Sequence, residues 1–551
     1  MRGGANMVFV LTTTLVHLAV LGSGAWLAKW RVEEQITEES GPPDGTFERR
    51  GTKVKQAIGK IARGAKSFQQ RRRERQARKG ALQGGGARDK DYQDYMAGEG
   101  KQYSKDINRN AAEVVERRRL TRGEDAPVNV LILMSDTGGG HRASAQALEA
   151  AFEDMYPGRL NLSMVDIWTE HSRWPYNQCV PGYQFAAKNP LVWRAVYEYS
   201  RFPPTRLFTE KALAFQNFQR FTDAIRQYSP DFVISVHPMC QDLPLKVLRT
   251  LGENRRRELP FVTVVTDLGS AHPTWFDSEV DKVFIASDAV MRIALRKGID
   301  VHLMGLPTRP AFWKESRPRE ELREELGLEQ GAGAVLVVGG GDGVGGMGAI
   351  ARAIIETLSQ EVGYSQVIVV CGKNRVVSQE LETATWPENV HVIIKGFVTN
   401  MDEWMGAVDC IVTKAGPGTI AEATIRGLPI MLSGFLPGQE EGNVPFVIDG
   451  GFGDFSKRPS KIGATVAKWL KDPELLERMR QNALRAARPH ATYDIAREIA
   501  DMMFPEGAGA AEAYYQAAAA ADAGAGGRNA TGAAAAVAAG GGEANAVMAT
   551  A

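Results

Sequence analysis

Three glycine-bearing segments of this chain carry residue types that handle phosphates and hydroxyls. The first runs Ser135-Asp136-Thr137-Gly138-Gly139-Gly140-His141-Arg142, and the second Gly339-Gly340-Gly341-Asp342-Gly343-Val344-Gly345-Gly346. The third runs Thr413-Lys414-Ala415-Gly416-Pro417-Gly418-Thr419-Ile420-Ala421-Glu422. Glycine lets backbone amides approach a phosphate, and a helix that starts there adds the positive end of its dipole. His141 brings an imidazole whose ordinary pKa of about 6.5 suits proton exchange near neutrality. Gly138-x-Gly140-x-x-Ala143 and Gly341-x-Gly343-x-x-Gly346 formally match a dinucleotide fingerprint, with Asp166 placed to serve a ribose. Each match alone is weak, since a bare strand-to-helix turn looks the same. The third segment separates the readings, because a dinucleotide enzyme has no evident use for it. A nucleotide-sugar enzyme does: one loop and helix end cradle the diphosphate while an acid, Glu422, holds the ribose hydroxyls. The plain alternatives are a His141 that only caps its helix or contacts phosphate, and a Glu422 on a solvated helix face.

These segments need strands to end where they begin. From residue 128 onward short apolar runs alternate with helix-length stretches, the pattern of buried parallel strands and crossover helices. Strands are expected at 128–134, 162–167, 231–236, 261–266 and 282–286, then at 334–338, 366–371, 390–394, 409–413 and 429–432. Helices are expected at 143–152 and 208–226 in the first set. The fold class is α/β, with two Rossmann-like domains facing a cleft at their strand C-terminal ends. The domains are read as 128–305 for the acceptor and 334–506, with C-terminal helices, for the nucleotide sugar, joined by a proline-rich hinge linker at 306–333.

The rest bounds the function. At 551 residues the chain is long enough for two cores. A net charge of +1 gives no signature of nucleic-acid binding. Residues 1–127 read as a targeting or anchoring region: 7–27 is apolar enough for a short span or leader, and 49–79 carries thirteen Lys or Arg against one acid, Glu74. Residues 507–551 are Ala/Gly-rich and read as a disordered tail. Four scattered cysteines suggest neither a disulfide framework nor a zinc site. No metal is expected either, since the one Asp-x-Asp, Asp89-Lys90-Asp91, lies outside both domains.

The run VLILMSDTGGGHRASAQALE from Val130 to Glu149 closely resembles plant and algal monogalactosyldiacylglycerol synthases. So do Ile234-Ser235-Val236-His237-Pro238, His272-Pro273-Thr274-Trp275-Phe276, the block TKAGPGTIAEATIRGLPI, and Gly438-Gln439-Glu440-Glu441-Gly442-Asn443-Val444-Pro445. The resemblance spans about residues 128–496. One departure is Asp342, where the plant pattern usually has Glu, which leaves only a side-chain role there in doubt. The family is similar in fold to the bacterial peptidoglycan GlcNAc transferase, the two-domain glycosyltransferase type B.

The resemblance implies inverting transfer of galactose from UDP-galactose to the sn-3 hydroxyl of diacylglycerol, with no cofactor and with activation by anionic phospholipid. It implies His141 as general base, with Gly139 and Gly140 beside the acceptor. The diphosphate cradle would be Gly341, Asp342, Gly343, Gly345 and the start Lys414, Ala415, Gly416, Pro417, Gly418, Thr419, with Arg309 reaching in from the hinge. Gly396 and Phe397 would hold the uracil, Glu422 the ribose, and Gln439, Glu440 and Asn443 the sugar side. Trp174, Pro175 and Trp275 match positions near the acceptor, where anionic lipids are sensed. The ring-rich stretch 168–199 reads as an interfacial lid, although any one ring could be core. The expected partners are a membrane surface, UDP-galactose and a possible second copy in a homodimer. The expected location is the plastid envelope. The other readings are a different UDP-hexose lipid glycosyltransferase or a non-catalytic lipid-binding relative.

Overall fold

A computed structural model describes residues 99–504 except 188, 253–256, 297–298, 300 and 340–345. The expectations placed on the apolar stretch 7–27, the basic stretch 49–79, Asp89–Asp91, the loop glycines Gly341, Gly343 and Gly345 with Asp342, and the tail 507–551 lie outside the described residues. The described strands are β1 Val128–Met134, β2 Leu160–Asp166, β3 Phe232–Ser235, β4 Phe261–Val264, β5 Lys282–Ile285 and β6 His302–Leu303 in the first half. The second half has β7 Gly333–Val338, β8 Ser365–Val370, β9 Val390–Lys395, β10 Cys410–Lys414, β11 Ile430–Gly434 and β12 Gly453–Phe455.

All pairings are parallel, and the sheets run β2-β1-β3-β4-β5-β6 and β12-β11-β10-β7-β8-β9. A parallel sheet is covered on both faces, so its strands are apolar throughout. In β7 the period of two assigns Ala334, Leu336 and Val338 to one core layer and Val335 and Val337 to the other. Burying rings such as Phe232, Phe261 and Phe284 contributes about 2–3 kcal/mol each. Each strand order reverses once. The first sheet reverses between β1 and β3, and the second between β7 and β10. Ligands of doubly wound sheets bind in the crevice at such a switch point. The first and third glycine segments leave β1 and β10, so topology alone brings them to the two crevices.

The structure redraws the two ends of the second domain. The linker 306–333 contains a helix, Arg319–Leu326, that packs as part of the second half: Leu322 is buried, and Arg323 donates to Ala407 O at 2.9 Å and reaches Asp409 at 3.1 Å. The last helix, Ala491–Ala500, returns to the first half. There Tyr493 donates to Asp154 at 2.7 Å, and Glu498 pairs with the buried Lys282 at 2.9 Å. Before β1, the helix Glu99–Leu120 is held to the same half through Asp231, which pairs with Arg118 and Arg122 and accepts from Asn129 N.

Candidate active site

On the first half, the chain leaves β1 through Gly138 and Gly139, with φ of 84° and 75°. This left-handed region costs glycine nothing. That turn starts the helix Gly140–Met155 and puts His141 in its first turn. His141 is buried, and its Nδ1 lies 2.9 Å from Val236 O and 2.9 Å from Thr266 Oγ1. A carbonyl only accepts, so Nδ1 carries the proton and Nε2 is left as an acceptor. The His237 ring stands edge-on at 4.3 Å. His237 accepts from Met239 N at 3.2 Å and bonds Thr137 Oγ1 at 2.9 Å, which makes it neutral too. Burial pushes His141 down to about 4 and His237 well below its ordinary value. The expectation of a His141 imidazole near 6.5 is therefore corrected: the Val236 carbonyl and the charge of Asp136 act against the desolvation and are outweighed by it.

Two further expectations on this half change. Trp275 is 0% exposed, so it does not touch a lipid surface. Its indole donates to Asp267 Oδ2 at 2.7 Å, and its ring lies 6.0 Å from that of His141. Asp166, the ribose acid of the dinucleotide alternative, is buried instead as a helix cap that accepts from Thr169 N and Asp136 N. Asp267 is a residue that the motifs did not mark. It sits just beyond β4, and burial raises its carboxyl to about 7, with Trp275 acting against that and Glu440 adding to it. Its only sequence signal is an acid directly after an apolar strand.

On the second half, Gly416 caps the helix Pro417–Ile425, and Glu422 projects from that helix, buried. Arg309 does not stand free for a diphosphate. It forks onto Glu422 at 2.6 and 2.8 Å, so the two expected donor ligands are brought together as a bidentate pair. Burial, the larger influence, raises the Glu422 carboxyl, and Arg309 opposes it. Lys414 likewise pairs with the buried Glu440 at 2.5 Å. Gly396 and Phe397 follow β9 at the surface, the ring 66% exposed.

The halves meet at these sites. Asn443, buried, accepts from Gly269 N at 2.7 Å and donates to Ala415 O at 2.8 Å, bridging both sheets' loops. Gly269 and Gly442 touch so closely that a Cβ on Gly269 would lie 2.0 Å from Gly442 O. The helix Pro190–Arg201 joins this seam: Trp193 donates to Pro437 O at 3.0 Å, and Tyr197 packs on Gly438. Of the ring-rich stretch, Trp168, Tyr176 and Tyr197 are core, while Trp174 is 71% exposed beside Pro175.

Two Rossmann-like sheets with acid–base groups at one switch point and an amide-rich helix start at the other define a two-domain glycosyltransferase. Residues 141–307 match the family described as monogalactosyldiacylglycerol (MGDG) synthase, and residues 334–435 the glycosyltransferase family 28 C-terminal domain. The monogalactosyldiacylglycerol synthase 1, chloroplastic, of Arabidopsis thaliana is 43% identical over 394 residues, covering 69% of this chain and 72% of that protein. The monogalactosyldiacylglycerol synthase, chloroplastic, of Spinacia oleracea is 42% identical over 394 residues, covering 69% and 73%. Among solved structures, the MurG of Acinetobacter baumannii aligns with a TM-score of 0.47 and 16% identity over 67% of this chain and 98% of that one. The chain belongs to the monogalactosyldiacylglycerol synthase family.

Proposed function

We propose that this glycosyltransferase moves galactose from UDP-galactose to the sn-3 hydroxyl of 1,2-diacylglycerol with inversion, releasing UDP and building galactolipid at the plastid envelope. The observation that carries the reading is the facing of two switch-point sites across one seam. His141, His237 and Asp267 stand on the acceptor side, and the Gly416 helix start with Glu422 and Gln439–Glu440 on the donor side. On the donor side, amides of Gly418 and Thr419, with those of the Gly341–Gly345 loop, meet the diphosphate where charge grows as the bond breaks; the Gly416 amide, expected in that cradle, is bonded to Lys414 O at 2.7 Å instead. Glu422 takes the ribose hydroxyls with both oxygens held in place by Arg309. Gly396 and Phe397 face the uracil. Gln439 and Glu440 grip the galactose, with Lys414 orienting Glu440 and Asn443 fixing the loop that carries them.

On the acceptor side, Gly139, Gly140 and neutral His141 meet the glycerol, and Nε2 of His141 is an acceptor toward it. No resident cofactor is called for. Diacylglycerol stays in the bilayer, so the first half must reach it. Leu191 is 86% and Phe215 79% exposed, and Trp174, Phe202 and Leu207 of the same stretch of chain are exposed too; such apolar side chains bind an interface. No helix among the described residues is long and apolar enough to cross a membrane. Anionic phospholipid is proposed as the activator, attracted by the thirteen bases of residues 49–79. Incubating the chain with labelled UDP-galactose or UDP-glucose and dioleoylglycerol vesicles tests the reading. Label in lipid from UDP-galactose in preference is expected, and equal or greater transfer from UDP-glucose contradicts it.

A further inference from the structure

We propose that the acceptor half sets how the donor sugar is held, with Trp193 and Ser270 as positioning residues that orient Gln439 on the loop 436–443 of the donor half. The proposal rests on the galactosyltransferase reading and assigns part of its preference for one sugar to residues of the other domain. Gln439 Oε1 is buried and has no hydrogen-bond donor among the described residues. Buried polar atoms are normally bonded, so this oxygen suits a hydroxyl of the bound hexose.

Where that side chain points depends on the backbone beneath it. Gly438 turns the loop with a φ of 80°, a conformation that glycine adopts freely. The residues on either side of it both have their carbonyls bonded from across the seam. Trp193 Nε1 donates to Pro437 O at 3.0 Å, and Ser270 Oγ donates to Gln439 O at 3.2 Å. The space under Gly438 is filled by Tyr197, whose ring would lie 2.5 Å from a Cβ added there. The loop's own bonds, from Leu436 N to Glu440 at 2.9 Å and from Gly438 N to Glu441 at 3.2 Å, keep its shape. The cross-seam bonds place it.

The two anchors form one clamp. Trp193 and Tyr197 are four residues apart on the helix Pro190–Arg201 and so share a face. Near the end of that helix Ser200 Oγ lies 3.1 Å from His272 Nε2, and the Tyr197 ring lies 5.3 Å from that of His272, two residues after Ser270. The clamp also reaches the turn that carries His141: Tyr183 packs edge-on to Trp193 at 5.1 Å, and a Cβ on Gly138 would lie 3.2 Å from it. The same side chains therefore touch the acceptor turn and the sugar-gripping loop. A hexose whose hydroxyl misses Gln439 Oε1 leaves that oxygen buried and unbonded, and a site rejects a sugar most strongly in that way. Releasing either carbonyl frees Gln439 to follow the wrong hydroxyl, which weakens the discrimination.

The test is calorimetry of the full chain with UDP and with UDP-galactose, beside steady-state turnover with UDP-galactose and UDP-glucose on dioleoylglycerol vesicles. Trp193→Phe keeps an aromatic ring against Tyr183 and Tyr197 and loses the N–H, and Ser270→Ala loses the hydroxyl alone. Each should weaken UDP-galactose by about three- to tenfold, the share of one neutral hydrogen bond, with UDP affinity kept within about twofold. The kcat/KM preference for galactose over glucose should shrink by a similar factor in each. An equal loss for UDP and UDP-galactose, which a general loosening of the fold would give, overturns the proposal. So does an unchanged affinity ratio or sugar preference in either variant. A wild type that transfers no galactose, or that prefers UDP-glucose, overturns the galactosyltransferase reading and the proposal with it, and wild type alone reports that result.

Discussion

His141 and Asp267 both neighbour Trp275 and are displaced in opposite directions by the same cause, loss of water. Their linkage to stability has opposite signs. His141 stays neutral in the fold down to about 4, whereas the unfolded imidazole protonates at about 6.5. Its stabilisation is thus full above pH 6.5 and lost as pH falls to 4, worth about 3 kcal/mol. Asp267 stays protonated up to about 7, whereas the unfolded carboxyl ionises at about 3.9. Its contribution is full below pH 3.9 and lost as pH rises through 7, on the order of 4 kcal/mol. In wild type the two slopes oppose. Asp267→Asn should therefore gain stability over wild type as pH rises from 4 to 7, and urea unfolding at several pH values reads this. A difference that stays constant with pH would contradict the burial of Asp267. Glu422→Gln should weaken UDP by roughly 10–100-fold, since a hydrogen bond to a charged group contributes about 1.5–3 kcal/mol. Calorimetry checks it, and unchanged affinity would return Glu422 to a structural partner of Arg309.

At the level of elements, most strands were legible because a buried parallel strand is an apolar run. β1 falls at the expected residues and the others within a residue or two. β6 and β12 were not, being two and three residues long at sheet edges, too short to show a pattern. The helix Arg319–Leu326 hid inside a proline-rich stretch because its apolar face is a single turn around Leu322. The first and third glycine segments mark the strand ends where the candidate site is placed, but not which groups pair. Glu422 with Arg309 and Glu440 with Lys414 are contacts over 113 and 26 residues that no local spacing encodes. Only the resemblance places Trp275 near the acceptor; the fold buries it completely, 6.0 Å from the His141 ring, which no local pattern around Pro273 and Thr274 encodes. The seam between Gly269 and Gly442 carries its own prediction. Gly442→Ala places a Cβ 2.6 Å from Gly269 O, closer than backbone tolerates, so the loops must part. Turnover should fall at least about tenfold, a cost of 1.4 kcal/mol or more, with UDP affinity little changed. Normal turnover would show that the seam opens during the reaction anyway.

For the whole molecule, the proposed attachment to lipid divides between the bases of 49–79 and the exposed apolar side chains Leu191 and Phe215. Each base near an anionic surface is worth on the order of 1 kcal/mol and is screened by salt, whereas apolar burial is not. Removing residues 1–98 should abolish the salt-sensitive part of vesicle binding, and Leu191→Asp with Phe215→Asp the salt-resistant part. Sedimentation with anionic vesicles across a salt series separates them, and identical curves for all chains would place the membrane contact elsewhere. The central claim is that the cleft transfers galactose to a lipid hydroxyl with inversion. The measurement that tests it most directly is the anomeric configuration of the lipid product made by the full chain from UDP-galactose and dioleoylglycerol vesicles, read by proton NMR of the sugar C1. A β-galactosyl diacylglycerol, formed in step with UDP release, is the predicted result. An α-linked product, or UDP release with the galactose ending on water, would contradict it.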